Sequence, residues 1–196
     1  MNTYHISFLD HPDWSGVPAV ELQHMSWLPP CAVAARAQAA CCGDSLHIRM
    51  EADERMIRAE HRGVLDAVCE DSCLEFFLAP LPGDRRYFNF ELNPLGTLYL
   101  GFGAERPTRV RQIVKEAEMF CIRPFTTDRG WGVSFEIPLP FLRLYMPEAS
   151  FSGTMNANFY KCGDKTVTPH YLAWSPLRCP QPDFHRRDDF GTLIFS

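Results

Sequence analysis

Residues 71–101 read DSCLEFFLAPLPGDRRYFNFELNPLGTLYLG, and this stretch decides the fold class. Apolar and polar side chains alternate through residues 71–78 and again through residues 87–93, as they do in a β-strand that buries one face. A Pro-Gly-Asp and a Pro-Leu-Gly separate the alternating runs, and such tripeptides are typical of tight turns. The stretch therefore predicts an antiparallel meander of three strands, the last of which covers residues 97–101.

Similar runs continue to the C-terminus, through residues 130–138, 154–160 and 191–195, with a charged crossover at 106–118. About eight to ten short strands of this kind predict an all-β fold, an antiparallel β-sandwich with long ordered loops and at most short helices. The whole chain, residues 1–196, is expected to form a single domain. The first 30 residues read as an extended segment that wraps this domain and holds one short strand.

Two segments have ambiguous local signals. Residues 31–42 are rich in alanine and favour a helix by propensity alone. However, a Gly-Asp turn and the alternating residues 46–51 follow, and a hairpin at that turn needs a partner strand before it. We therefore expect a strand at 31–42, whereas residues 53–68 fit either a short helix or a loop.

Composition excludes several classes of partner and location. The formal net charge is −5, and a nucleic acid or an anionic membrane would need a basic face, so neither is expected. No leader-like apolar segment opens the chain, and no apolar run reaches a membrane span, which predicts a cytoplasmic protein. The eight cysteines have no regular spacing, so we expect reduced and mostly buried thiols.

The alternation places a polar face opposite the predicted core. Its members are Asp71, Glu75, Tyr87, Asn89, Glu91, Asn93, Ser134, Glu136, Asn156, Asn158 and Tyr160. This face has no lysine and many planar amides and carboxylates, which suit paired hydrogen bonds to neighbouring hydroxyl groups of a sugar. A solvated outer face of a sandwich would have a similar pattern, and the residues do not decide between these two alternatives.

The segment 158–191 is too rich in proline and aromatic residues for a regular element, and it predicts a structured loop that builds a site or closes a core. Trp174 could be a ligand platform or a core residue, whereas Trp27 favours packing. His170 and His185 could cap a core, donate to ligand hydroxyls or bind a metal. The spacing of these histidines from Cys162 and Cys179 matches no compact zinc pattern, so neither a metal nor another cofactor is expected.

An enzymatic alternative also follows from the residues. Glycosidases use a pair of carboxylates, and Glu75 and Glu91 could form one with a nearby histidine, His170 or His185. The chain would then be a small sugar-active hydrolase or isomerase. Nucleophile-elbow, phosphate-loop and dinucleotide-binding motifs are missing from the sequence.

Several blocks carry a family resemblance: DSCLEFFL at 71–78, YFNFELNPLG at 87–96, EIP at 136–138, NFYKCGD at 158–164, WSP at 174–176, DFH at 183–185 and FG at 190–191. With them the chain resembles the family 9 carbohydrate-binding modules, within the DOMON-like β-sandwiches, and among these the stand-alone single-domain branch. The likeness runs from about residue 14 to the C-terminus and is most specific at 71–96 and 158–191.

The resemblance implies a non-catalytic module that binds a mono- or oligosaccharide, linked to carbohydrate catabolism, by gripping a terminal sugar between aromatic rings. Trp174 is the implied platform, with Trp27 or Tyr160 opposite. The complete predicted ligand set is Trp174, Tyr160, Asn158, His170, His185, Glu75, Tyr87, Asn89, Glu91 and Trp27. No calcium loop of the kind found in some relatives maps onto this chain. A haem-binding relative of the same fold would need a Met or His pair that faces one cavity.

Overall fold

A computed structural model describes residues 2–11, 13–111 and 117–196 of the chain. These residues contain the strands β1 (Thr3–Leu9), β2 (Val20–Glu21), β3 (His24–Met25), β4 (Ala34–Cys42), β5 (Ser45–Asp53), β6 (Cys73–Ala79), β7 (Tyr87–Leu92), β8 (Leu98–Gly103), β9 (Val110–Arg111), β10 (Arg123–Thr127), β11 (Gly130–Pro138), β12 (Gly153–Cys162), β13 (Tyr171–Ala173) and β14 (Gly191–Phe195). The helix α1 covers Leu139–Tyr145, and short 3-10 helices cover Trp14–Gly16, Val68–Glu70, Ala117–Phe120 and Arg187–Asp189. No helix among these residues is long and apolar enough to cross a membrane.

The strands form two layers that β1 joins. The first sheet has the order β10-β11-β5-β4-β1, and the second has the order β1-β14-β12-β6-β7-β8-β9. The first half of β1 pairs with β14 and its second half with β4, in both cases in parallel. The all-β sandwich is therefore confirmed, but the sheet is mixed rather than purely antiparallel. The extended segment expected at the N-terminus contains the strand that joins the two layers.

The apolar side of each alternating run packs between the two sheets. Phe76 on β6 and Phe159 on β12 stack with ring centroids 4.8 Å apart. Ile48 and Val133 are fully buried opposite them in the first sheet. The alternation predicted for the meander is confirmed, because its apolar face lies in this shared core.

The second sheet is also covered on its outer face. Residues of β6 and β7 are buried throughout, on both sides of the strands. A second apolar cluster, centred on Phe77, Tyr160 and Phe190, fills the space between this face and the loops that cross it. The proline-rich segment after β12 is ordered because it closes this cluster.

Tertiary pairing settles both ambiguous segments. Residues 34–42 form β4, which pairs with β5 along its whole length, so the predicted strand is confirmed. Residues 54–67 form a loop. The buried Asp71 carboxylate holds this loop, because it accepts hydrogen bonds of 2.9 Å from the backbone N–H groups of Glu60 and His61. Of the crossover expected at 106–118, residues 112–116 lie outside the described residues.

Candidate functional site

A pocket of about 100 Å³ opens on the outer face of the second sheet. Its floor is formed by side chains of β6, β7 and β12 that point away from the core, including Glu75, Glu91 and Cys162. The loop at 182–185 and two arginines form its walls. The complete lining is Trp27, Cys69, Glu75, Glu91, Arg106, Arg109, Cys162, Asp164, Tyr171, Pro182, Asp183, Phe184 and His185.

Two carboxyl groups face each other on the floor. Glu75 on β6 and Glu91 on β7 are directly opposite in the antiparallel pair, and their exposed fractions are 3% and 5%. Burial raises the pKa of Glu91 to about 7, although the nearby Arg109 opposes this shift. Burial and the charge of Glu91 also raise the pKa of Glu75. Near neutral pH the pair therefore retains a proton, so it can both donate and accept hydrogen bonds.

A histidine and an arginine form the wall beside these carboxyl groups. His185 Nδ1 lies 2.7 Å from the Tyr87 hydroxyl and 2.7 Å from Arg109 Nη1. Burial and the charge of Arg109 hold the pKa of His185 well below its usual range, so the ring is neutral and accepts from the guanidinium. Arg109 Nη2 is 3.9 Å from Glu91 Oε1. The imidazole thus positions Arg109 beside the carboxyl pair.

Trp27 lies at the rim with a strained backbone. Its φ is 65°, a left-handed conformation that is uncommon for a residue other than glycine. The indole N–H donates to the Cys179 carbonyl at 2.8 Å, and the ring packs on Tyr171 and Phe184 at 5.4 and 5.8 Å. These contacts hold the ring in one position at the mouth, in spite of a conformation that costs on the order of 1–3 kcal/mol.

The structure brings six of the ten predicted ligand residues together. Trp27, Glu75, Glu91 and His185 line the pocket. The Tyr87 hydroxyl contacts His185 Nδ1, and Asn89 donates to Glu91 Oε1 at 2.7 Å. The polar face predicted from the sequence is nevertheless divided between the two sheets, because Ser134 and Glu136 belong to β11 in the first sheet.

The other four predicted residues do not line the pocket. Tyr160 is fully buried beneath the wall, where it stacks on Phe184 at 4.2 Å. The Asn158 side chain bonds the backbone of Ser175 through both of its polar atoms and fixes the following loop. Their roles here are to support the pocket rather than to contact a ligand.

Trp174 belongs to the core. Its exposed fraction is 4%, and its ring packs edge-on against Tyr4 and Phe159 at 6.4 and 5.7 Å. Because Phe159 faces the space between the sheets, Trp174 lies on the opposite side of the second sheet from the pocket. The platform role that the resemblance implied for Trp174 therefore does not fit its position.

Replacing Gly191 with alanine is expected to destabilise the protein by about 1–3 kcal/mol, a typical cost of overpacking. An added Cβ would lie 2.5 Å from the Trp174 ring and 2.8 Å from the Asn2 carbonyl oxygen. Gly16→Ala is the matched control, since nothing lies within 4 Å of its added Cβ. Urea unfolding measures both variants, and equal stability of the two would contradict the packing assigned to Trp174.

His170 lies in a separate buried cluster. Its Nε2 is 2.7 Å from Lys161 Nζ, which in turn is 3.1 Å from Glu54 Oε2. Lys161 alternates with Tyr160 and Cys162 along β12, so this cluster is on the inner side of the strand. A catalytic pairing of His170 with Glu75 or Glu91 is therefore inconsistent with the structure, whereas His185 lines the same pocket as Glu75 and Glu91.

Several lining residues were not among the sequence predictions. Arg106, Arg109, Asp164 and Asp183 reach the pocket from loops, where no alternation indicates the direction of a side chain. The thiol prediction holds in part. All eight cysteines are free, but only three are buried, and the other five are half-buried.

The comparisons with known proteins agree with the fold. A protein from Bacteroides uniformis to which carbohydrate binding is attributed has 29% sequence identity and a TM-score of 0.87, with 99% of each chain covered. A family 9 carbohydrate-binding module from Caldicellulosiruptor kristjanssonii in complex with glucose has 11% identity and a TM-score of 0.68, over 98% of this chain and 95% of that one.

A structure of a module from the same organism in complex with cellotriose has 10% identity and a TM-score of 0.66, over 98% of this chain and 93% of that one. No curated protein matches the chain significantly. The model of carbohydrate-binding family 9 matches residues 9–195, which is nearly the whole chain. The chain is therefore a member of carbohydrate-binding family 9.

Proposed function

We propose that the pocket on the outer face of the second sheet binds one sugar ring of a mono- or oligosaccharide. The observation that carries this proposal is the convergence of a carboxyl pair, a guanidinium and a neutral imidazole beneath an aromatic rim. Residues 1–196 act as one module in this proposal, because β1 belongs to both sheets.

The chemistry of the lining suits a sugar. Planar carboxyl and guanidinium groups can make paired hydrogen bonds with adjacent hydroxyls, and the shared proton on the carboxyl pair lets it accept or donate. The half-buried ring of Trp27 at the rim offers an apolar surface to the C–H face of a sugar ring. The backbone strain at Trp27 also supports a functional role, since such strain concentrates at ligand sites.

The volume of the pocket limits the ligand. The pocket is small and opens to solvent at one side, which suits a single sugar unit better than a length of chain. A free sugar or the terminal unit of an oligosaccharide meets this condition. The glucose and cellotriose complexes of the Caldicellulosiruptor modules support a sugar of this class. Holding such a sugar for breakdown is the role that we propose in carbohydrate catabolism.

A hydrolase is the second candidate, and one observation favours it. Glu75 and Glu91 are directly opposite in an antiparallel pair, and two neighbouring carboxyl groups are what a retaining glycosidase requires. The raised pKa of Glu91 would suit a general acid. However, Glu75 and Glu91 are almost completely buried on the floor of the pocket, at 3% and 5% exposure, which favours binding without turnover.

We expect Trp27→Ala and Arg109→Met each to weaken sugar binding by about 10- to 100-fold, since each removes a contact worth on the order of 1.5–3 kcal/mol. Calorimetric titration with glucose, other monosaccharides and short glucans measures the affinities. Trp14→Ala and Arg129→Met are the matched controls, because neither residue lines this pocket and Arg129 is highly exposed.

Two outcomes would contradict the proposal. Unchanged affinity in both pocket variants would place the sugar elsewhere on the molecule. Failure of the wild-type protein to bind any of the sugars would remove the binding function itself. Release of a shorter sugar from an oligosaccharide, lost in Glu91→Gln, would establish the hydrolase instead.

A further inference from the structure

Two cysteines and a glutamate meet at the floor of the pocket. Cys73 on β6 and Cys162 on β12 are directly opposite each other across the two strands, and Glu75 follows on the same face of β6. The two sulfur atoms and a carboxylate oxygen all lie within 4.8 Å of one another. All three residues are buried, and Cys162 and Glu75 also line the pocket.

The separations are close to those of a zinc site. Zinc bonds of about 2.3 Å to sulfur and about 2.0–2.2 Å to oxygen place tetrahedral ligand atoms about 3.5–3.8 Å apart. A change of about 1 Å or less in each separation would give this geometry: the wider separations would close, and the contact between Cys162 and Glu75 would open slightly. Cys162 Sγ already lies 3.0 Å from Glu75 Oε1, with the thiol as donor. A metal ion would replace the proton in this contact.

The charges around the cluster favour a cation. Among the described residues, no lysine, arginine or histidine lies within 4.0 Å of the Glu75 carboxylate, and Arg109 approaches Glu91 instead. In its ionised form this carboxyl group, 3% exposed and with only a thiol as donor, would need a positive partner, and a bound cation would supply one. At the same pocket the negative charges of Glu91 and Asp164 offset the positive charges of Arg106 and Arg109.

We propose that Cys73, Cys162 and Glu75 bind one zinc ion, with a fourth coordination position that opens into the pocket. Binding releases to solvent the two thiol protons and, when Glu75 carries it, the proton of the carboxyl pair, so that two thiolates and one carboxylate hold the ion. Thiolate ligands select zinc and other soft ions over calcium and magnesium. Three protein ligands and one open position are typical of zinc sites that also contact a substrate or ligand.

The metal site does not depend on sugar binding, and the experiment uses the metal alone. The full chain, kept reduced and with eight free thiols counted beforehand, is titrated with Co²⁺ as a spectroscopic probe of the zinc site. We expect one equivalent to produce a thiolate-to-cobalt charge-transfer band together with the visible absorption of a tetrahedral ion. One equivalent of Zn²⁺ should then abolish both.

Variants locate the site. Cys73→Ser and Cys162→Ser should lose the charge-transfer band, and Cys31→Ser, a half-buried thiol that is not part of the cluster, should retain it. Glu75→Gln keeps the shape of the side chain and both sulfurs, so it should keep a weaker band and bind at least ten-fold more weakly. It serves as the second variant if a serine variant does not fold.

The proposal is overturned if the wild-type protein shows no charge-transfer band. It is also overturned if folded Cys73→Ser and Cys162→Ser both bind Co²⁺ as the wild type does, or if Glu75→Gln has wild-type affinity. Sugar titration of the metal-free and zinc-loaded protein separates this result from the sugar proposal, since either can fail alone.

Discussion

Replacing Lys161 with methionine is expected to destabilise the protein by about 3–5 kcal/mol. Methionine keeps most of the volume but removes the ammonium group, which is fully buried 3.1 Å from Glu54 Oε2. The Glu54 carboxylate then stays buried with only neutral donors, Trp131 at 3.0 Å and Ser72 at 2.9 Å. Removal of one partner of a buried ion pair typically costs this much.

The loss should be larger at pH 8 than near pH 5. Burial, together with the charge of Lys161, lowers the pKa of His170 to about 4 in the wild type. Without the ammonium group one cause of that shift is gone, so His170 can take up a proton at mildly acidic pH. His170 Nε2 lies 3.9 Å from Glu54 Oε1 and would then supply the missing positive charge.

Urea unfolding at the two pH values measures the free energy of unfolding. Lys165→Met is the matched control, because Lys165 pairs with Glu70 at 2.9 Å but is 60% exposed, and exposed pairs contribute about 0–1 kcal/mol. The double variant Lys161→Met, Glu54→Gln should recover part of the loss. Similar small effects of both single lysine variants would contradict a strong buried pair.

Glu91→Gln is expected to stabilise the protein at pH 8 by on the order of 3 kcal/mol relative to the wild type and to have little effect below pH 5. The pKa of Glu91 is about 7 in the folded protein, above its ordinary value of 4.5, because the carboxyl group is buried. Each unit of such a shift corresponds to about 1.4 kcal/mol. Glutamine keeps the acceptor oxygen that Asn89 contacts and never ionises.

The direction follows from proton binding. Between pH 4.5 and 7 the folded protein binds more protons at Glu91 than the unfolded chain does, so the wild-type free energy of unfolding falls as pH rises. Above pH 7 Glu91 is ionised in the folded and in the unfolded protein. The full cost of burying its charged carboxylate then lowers the free energy of unfolding of the wild type. The difference between variant and wild type should therefore grow through this range and then become constant.

Unfolding free energies at pH 5, 6, 7 and 8 give this curve. Glu60→Gln is the control, since Glu60 is 64% exposed and its replacement should change stability by less than about 0.5 kcal/mol at every pH. A Glu91→Gln difference that is constant from pH 5 to pH 8 would show that the Glu91 carboxyl ionises normally. Any proton retained by the carboxyl pair would then have to lie on Glu75 alone.

Local sequence was sufficient for much of the fold. Alternation over β6, β7, β11 and β12 indicates both the strands and the side that faces the core, because a period of two commits every second side chain to one face. The strand β1 escaped prediction. It pairs in parallel with β14 and with β4. Parallel partners are far apart in sequence, so β1 is not followed by a hairpin turn that would indicate a strand.

The residues of the pocket were likewise predictable from the sequence only in part. Alternation places Glu75, Asn89 and Glu91 on one face, and the register between β6 and β7 makes the two carboxyl groups neighbours. For the loop residues, the side of the sheet that each side chain faces could not be predicted. Trp174 and His170 follow the same strand as His185 but face the inner side of the second sheet, and nothing in a proline-rich segment encodes that choice.

By itself, the sequence determined the fold class, the core-facing side of the main strands and the residue types that could meet a sugar. Short-range sterics and the burial of apolar surface are enough for these features. Only the tertiary structure decided that Arg109 and His185 close over the carboxyl pair, that Cys73 meets Cys162, and that Trp27 rather than Trp174 lies at the pocket. Those choices depend on contacts between distant segments, which have no local signature.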